Sequence, residues 1–292
     1  MQLQQIGDLI AKSVSAWLDD FAPSMGAALA YYTLFSIAPL LIIAIAVAGL
    51  AFGQDAARGE IVAQIQGLLG PEGANAVQGL LKSANEPARD IFAALISAIT
   101  LFIGATTVFA ELQSDLDRIW RVPAPLKENG LWLLLRTRLL SFGLVLGLGF
   151  LLLVSLVLSA GIAAFGKWST GLFGDREVFF QALNFGISFA STTVLFAMIY
   201  KLMPRANIAW RDVWIGAAVT ALLFEIGKIL IGLYLGKTSV VAGFGAAGSL
   251  VVLLVWVYFS AQIFLLGAEF TWVYSHLYGS RAAAATAAPG PP

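Results

Sequence analysis

Six long apolar stretches constrain this chain more than any other feature. They fall near residues 27–52, 91–113, 139–163, 178–203, 211–235 and 247–273. Each reaches the roughly 20 residues that an α-helix needs to cross about 30 Å of hydrocarbon. A soluble domain within 292 residues has no use for six such runs. Lipid offers backbone N–H and C=O groups no partner, so helices that satisfy their own are the expected solution. The pattern predicts an all-α integral membrane protein, with a bundle of six transmembrane helices filling residues 24–275.

Composition agrees with that class. Hydrophobic residues make up 59% and charged residues 12%, where a soluble domain carries roughly 25% charged. Seventeen basic and seventeen acidic residues cancel, so net charge selects no partner. The absence of cysteine excludes disulfides, thiolate catalysis and cysteine metal sites within this chain. The single histidine, His276, lies beyond the last span and suits neither a histidine metal centre nor a proton relay. No cofactor is expected.

Three segments flank or interrupt the spans. Over residues 1–23, Ile6, Leu9, Ile10, Val14, Trp17, Leu18 and Phe21 recur at helical spacing, with Asp8, Lys12, Asp19 and Asp20 on the other faces. This predicts an N-terminal amphipathic helix, lying in the membrane interface or packed on the cytoplasmic surface of the bundle. It lacks the basic region and short apolar core of a signal peptide. In the loop at 53–90, Ile61, Val62, Ile65, Leu68, Leu69, Val77, Leu80 and Leu81 suggest two short extracytoplasmic helices broken at Gly70–Pro71. They act either as a lid or as packing. Residues 276–292, Ala/Pro/Gly-rich from Ala282, are expected to form a disordered cytoplasmic tail. There is no convincing internal repeat of the transporter kind.

Basic residues set the orientation. With a cytoplasmic N-terminus, ten face inward: Lys12, Arg118, Arg121, Lys127, Arg136, Arg138, Lys201, Arg205, Arg211 and Arg281. Six face outward: Arg58, Lys82, Arg89, Lys167, Arg176 and Lys237. Both termini are therefore expected in the cytoplasm.

Polar groups inside spans mark where function would reside, because lipid penalises them. In span two, Ser97, Thr100, Gly104, Thr107, Glu111, Ser114 and Arg118 follow one another at spacings of three and four. That stripe is either a small-residue packing face or the lining of a hydrated path. Span five carries Glu225 and Lys228, three residues apart and so neighbours on one face. They form either a local ion pair or a charged site facing the bundle interior, with Asn184 of span four as a partner. Span six places Gln262 and Glu269 seven residues apart, and Glu269 is expected at the depth of Glu111, near the inner surface and its arginines.

Four strings carry a resemblance. "AYYTLFSIAPLLI" (30–42), "GATTVFAELQSDLDRIW" (104–120), "YKLMPRANIAWRDVWIGA" (200–217) and "GSLVVLLVWVYFSAQIFLLGAEF" (248–270) resemble the YihY/BrkB family of bacterial inner-membrane proteins. The likeness runs over all six spans, about residues 20–275. It implies six transmembrane helices with cytoplasmic termini. Its motif positions here are Tyr31, Ser36, Pro39, Gly104, Glu111, Trp120, Pro204, Gly216, Trp256, Gly267 and Glu269. Relatives often read Asn-x-Ile-Trp at the end of span two, where this chain has Asp117 before Ile119–Trp120. The family long carried a ribonuclease label, and some members are associated with serum resistance or tolerance of altered lipopolysaccharide precursors.

Phosphodiester hydrolysis needs clustered metal-binding acids or paired histidines, and a basic surface for the backbone. One histidine, zero net charge and no cytosolic domain fit neither requirement, so nucleic acid is not an expected partner. The expected activity is that of a non-enzymatic transporter or flippase for a lipid or amphipathic anion in the inner membrane. The alternative is a non-transporting scaffold or lipid-binding envelope protein. Membrane lipids are the expected partners, anionic lipid at the cytoplasmic face above all, and the sequence is compatible with a homo-oligomer.

Overall fold

A computed structural model describes residues 3–84, 91–123, 177–237 and 248–282. Their regular structure is helical, without strands among the described residues. The elements are α1 (Leu3–Asp19), α2 (Ala22–Phe52), α3 (Gln54–Ala84) and α4 (Ile91–Ile119), then α5 (Glu177–Leu202), α6 (Trp210–Lys237) and α7 (Gly248–Leu277). Among the described residues, four stretches are long and apolar enough to cross a membrane: Ala22–Ala46, Phe185–Leu202, Trp210–Tyr234 and Leu250–Leu277. The apolar run at 139–163 lies outside the described residues.

Helix ends are set by local chemistry. Phe21 adopts a left-handed conformation (φ 58) between α1 and α2. Pro23, near the start of α2, costs nothing there because first-turn N–H groups have no helical partner. At the end of α4, Arg121 is also left-handed (φ 53). Its N–H donates to the Arg118 carbonyl at 3.0 Å, and the Val122 N–H donates to Asp117 at 2.9 Å. That is the Schellman pattern, with arginine where glycine is usual.

α3 differs from the expected pair of short helices. It is assigned as one helix of 31 residues, which would run about 46 Å if straight. Yet residues from both its ends, Asp55 and Lys82, line one cavity, so the helix doubles back. Pro71 lies midway and cannot donate to the preceding turn, so the reversal falls at the expected break, Gly70–Pro71. Its Val77 and Leu81 pack with Leu253 of α7 and with Leu41, Ile42 and Ile45 of α2.

The main core joins α2, α4, α5, α6 and α7 around the fully buried Tyr200, Leu116, Ile119, Leu265 and Val213. The α6–α7 contact is the closest. A Cβ on Gly216 would fall 1.8 Å from Thr271 Oγ1, and one on Gly267 would fall 1.9 Å from Thr220 Oγ1. Each threonine donates to the carbonyl one turn before it on its own helix: Thr220 to Gly216 at 2.8 Å and Thr271 to Gly267 at 2.7 Å. The hydroxyls are thus satisfied while the backbones approach. Tyr200 closes the arrangement by donating to the Phe264 carbonyl at 2.7 Å.

Candidate functional site

The polar groups gather at one end of the bundle, where α1 and α4 end, α2 and α6 begin, and α5 and α7 end. Hydrogen bonds tie these termini together. Asp117 of α4 accepts from the Arg205 backbone N–H and from its Nε, both at 2.7 Å, and Gln113 Nε2 donates to the Met203 carbonyl at 3.1 Å. The segment between α5 and α6 is thereby clamped across α4. Asp212, fully buried in the first turn of α6, accepts from Ser280 Oγ at 2.6 Å. Arg281 donates to the Asn207 carbonyl at 3.1 Å. Residues 276–282, assigned by sequence to the disordered tail, are therefore held to α6, while 283–292 lie outside the described residues.

Cations at this end sit over aromatic rings. Arg118 lies 5.7 Å from the Phe21 centroid, Lys201 5.7 Å from Trp210, Arg121 5.5 Å from Trp272 and Arg281 5.1 Å from Trp120. Phe21, Trp210 and Trp214 are exposed. Such aromatic surface beside cations is usual at a membrane–water boundary.

Beneath this collar lies a buried carboxyl pair. Asp20, in the α1–α2 turn, and Glu269 of α7 are both buried, and their carboxyl groups lie within hydrogen-bonding reach of each other. Arg121 pairs with Asp20 Oδ1 at 3.0 Å. Asp20 Oδ2 and both Glu269 oxygens have no donor among the described residues. Asp115, on the buried side of α4, is pushed up to about 7, chiefly by burial and then by the charge of Glu111, with Arg118 partly opposing.

The sequence-selected residues separate into several groups. Ser36 donates to the Gly104 carbonyl, and a Cβ on Gly104 would fall 3.1 Å from Pro39 Cγ, so these three form the α2–α4 contact. Thr107 donates to the Ile103 carbonyl within its own helix at 2.7 Å. Glu111 is half-buried, whereas Ser114 and Arg118 further along are exposed. The side chains of Thr100 and Asn184 lie outside the described residues. Lys228 and Glu225 pair at 2.8 Å, both partly covered, beside the exposed Ile226, Ile229 and Leu230. Gln262 Nε2 donates to the Pro23 carbonyl at 3.5 Å and fills the space left by Gly26. Trp120 and Pro204 are buried, Trp256 meets Phe224 edge-on, and Tyr31 is exposed in an aromatic group with Tyr32 and Phe35. Arg205, one of the inner-surface arginines expected near Glu111 and Glu269, pairs with Asp117.

Sequence reasoning passed over Asp20, Asp115, Asp117 and Arg121 as site residues. All four lie just outside the apolar runs, where charges look solvated. The faint signal was Asp20 directly before Phe-Ala-Pro, a helix junction, on a helix that needs its apolar residues for packing.

At the other end, two cavities border α3. One of about 150 Å³ is lined by Ile42, Ile45, Gln54, Asp55, Arg58 and Leu81. The other, about 570 Å³, lies among Asp55, Arg58, Val62, Asn75, Gln78 and Lys82.

Four apolar crossing-length helices, a core of small-residue contacts and a polar collar at one end define a helical membrane protein. The chain belongs to the BrkB family: the family model described as "Virulence factor BrkB" matches residues 13–290. It is similar to a UPF0761 membrane protein of Pseudomonas aeruginosa (strain LESB58), 30% identical over 260 residues, covering 86% of this chain and 59% of that one. A UPF0761 membrane protein of Pseudoalteromonas translucida is 26% identical over 280 residues, covering 92% of this chain and 88% of its own length. The chain thus spans 59% of the Pseudomonas relative but most of the Pseudoalteromonas one. No solved structure matches significantly.

Proposed function

We propose that this chain is a six-span inner-membrane protein that carries a lipid or amphipathic anion across the bilayer, without enzymatic chemistry. One observation carries the reading: cationic side chains stand beside exposed aromatic surface at the collar, and two more line a cavity at the far end. At the collar these are Arg118 over Phe21 and Lys201 over Trp210, with Trp214 exposed as well. At the far end Arg58 and Lys82 line the 570 Å³ cavity together with Asp55, Val62 and Asn75. Such pairs suit an anionic headgroup with an acyl tail.

The six-span count is supported by direction. α4 ends at the collar, whereas Glu177 begins α5 about 39 Å from it at the α-helical rise. One further crossing between them, through the apolar 139–163, and one by α4 itself complete six. The ten-to-six excess of basic residues supports a cytoplasmic collar and cytoplasmic termini. On α1, Ile6, Ile10, Val14 and Leu18 are exposed at intervals of four, while Leu9 packs against Val273 and Tyr274 of α7. That outward ridge suits a helix resting in the interface.

A second reading, a lipid-binding scaffold, is favoured by the tight α6–α7 contact, which resists opening. Proteoliposomes holding the full chain separate the two. Carriage predicts accelerated loss of fluorescence from labelled phosphatidylglycerol when dithionite is added outside, slowed by R58Q/K82Q. Co-purifying lipid without acceleration supports the scaffold, and neither effect would overturn both.

A further inference from the structure

Asp20 and Glu269 come from different ends of the sequence and meet where neither reaches water. Asp20 is 4% exposed and Glu269 0%. Of their four oxygens, only Asp20 Oδ1 has a donor among the described residues, the Arg121 guanidinium at 3.0 Å. Two ionised carboxylates are acceptors only, so neither can serve the other. Two carboxylates and one arginine leave a net negative charge in a buried place, and like charges this close do not both remain ionised. Adding one proton neutralises the trio and supplies the missing donor in a single step.

Among the described residues nothing else balances the charge. Asp19, the neighbour of Asp20 at the end of α1, brings a further negative charge, and Arg121, just past α4, is the paired cation. Arg118 of α4 is exposed over Phe21. On α6, Asp212 is engaged by Ser280 and Arg211 is exposed. His276, two turns along α7, has Nδ1 2.8 Å from the Trp272 carbonyl. Among the described residues no three histidine or acidic side chains come together to hold a metal ion.

The backbone beside the pair is strained in a way that singles it out. Phe21 and Arg121 are the non-glycine residues with positive φ among those described, and they flank Asp20 and hold its salt bridge. Left-handed backbone of this kind persists where surrounding structure imposes it.

We propose that Asp20 and Glu269 form a proton-binding site, one proton shared between the two carboxyl groups, which fastens the α1–α2 turn to α7. Binding forms an O–H bond to one carboxylate and a hydrogen bond to the other. Release leaves two facing carboxylates with one arginine, and the turn loosens from α7. The site does not depend on whether the chain carries lipid.

The test is infrared difference spectroscopy on the full chain in nanodiscs, in a D115N background so that Asp115 does not contribute. At neutral pH a protonated-carboxyl C=O band is expected, shifting in deuterated buffer and disappearing on alkalinisation. It should be lost in E269Q, and separately in D20N, each amide supplying a permanent donor. Thermal stability should fall with rising pH in D115N and stay flat in D115N/E269Q. If E269Q does not fold, D20N and the background spectrum still decide. Absence of the band at neutral pH, or its survival in a folded single variant, overturns the site. A band absent unless sodium is withheld assigns the pair to a metal cation and also overturns it.

Discussion

Gly267 has no room for a side chain. A Cβ there would meet Thr220 Oγ1 at 1.9 Å and Tyr200 Oη at 2.6 Å. Both atoms belong to buried, hydrogen-bonded groups and cannot swing away without losing partners. Gly267→Ala should lower stability by about 1–3 kcal/mol through overpacking, read as the thermal midpoint in detergent. Gly59→Ala, with nothing within 4 Å, is the control and should gain about 0.5–1 kcal/mol from helix propensity. Equal midpoints for Gly267→Ala and wild type would refute the close contact. Asp115 offers a different measurement at this scale. Its carboxyl is raised from 3.8 to about 7, so its stability contribution is fully present below about 3.8 and lost as pH rises through about 7. Asp115→Asn, which stays neutral, should match wild type in acid and exceed it above neutrality. A difference between the two that does not change with pH would contradict the burial of that charge.

α4 and the segment after α5 act as one element. The Asp117 side chain is 8% exposed and its partner Arg205 43%, so solvent weakens the ion pair. The Arg205 backbone N–H also donates to Asp117, at 2.7 Å, and fixes the turn itself. Asp117→Ala should cost about 1–3 kcal/mol, mostly by orphaning buried donors. Asp117→Asn keeps an acceptor and should cost less, which is how a relative with asparagine there can hold the same turn. Urea unfolding of the detergent-solubilised chain, or a thermal melt, ranks the three. If asparagine proves worse than alanine, the clamp is not what Asp117 provides.

For the whole molecule, the proposed orientation places the collar in the cytoplasm. The chain has no cysteine, so single cysteines report without interference. In intact cells an impermeant thiol reagent should label a cysteine at Gln78 and spare those at Lys127 and Ala282. Labelling at Ala282 with none at Gln78 would invert the molecule and move the proton site to the outer surface. The same preparation tests self-association, since a homo-oligomer would appear in its mass in nanodiscs.

Hydrophobic period and length are local quantities, and they carried the sequence as far as class and span placement. α2, α5, α6 and α7 fall on four of the six apolar runs, because a lipid-facing helix must be apolar around most of its circumference. Glycine and hydroxyl positions in the motifs were also legible as packing: Ser36 with Gly104 and Gly216 with Thr271 are small residues that let helices touch. The pairing of Glu225 with Lys228 was legible for a similar reason, since three residues of helix fix their separation. Charges beyond the runs were not. Asp20 and Glu269 are separated by most of the chain, and only the docking of the α1–α2 turn on α7 removes both from water. Burial changes what a carboxylate must be, and burial here belongs to the tertiary structure.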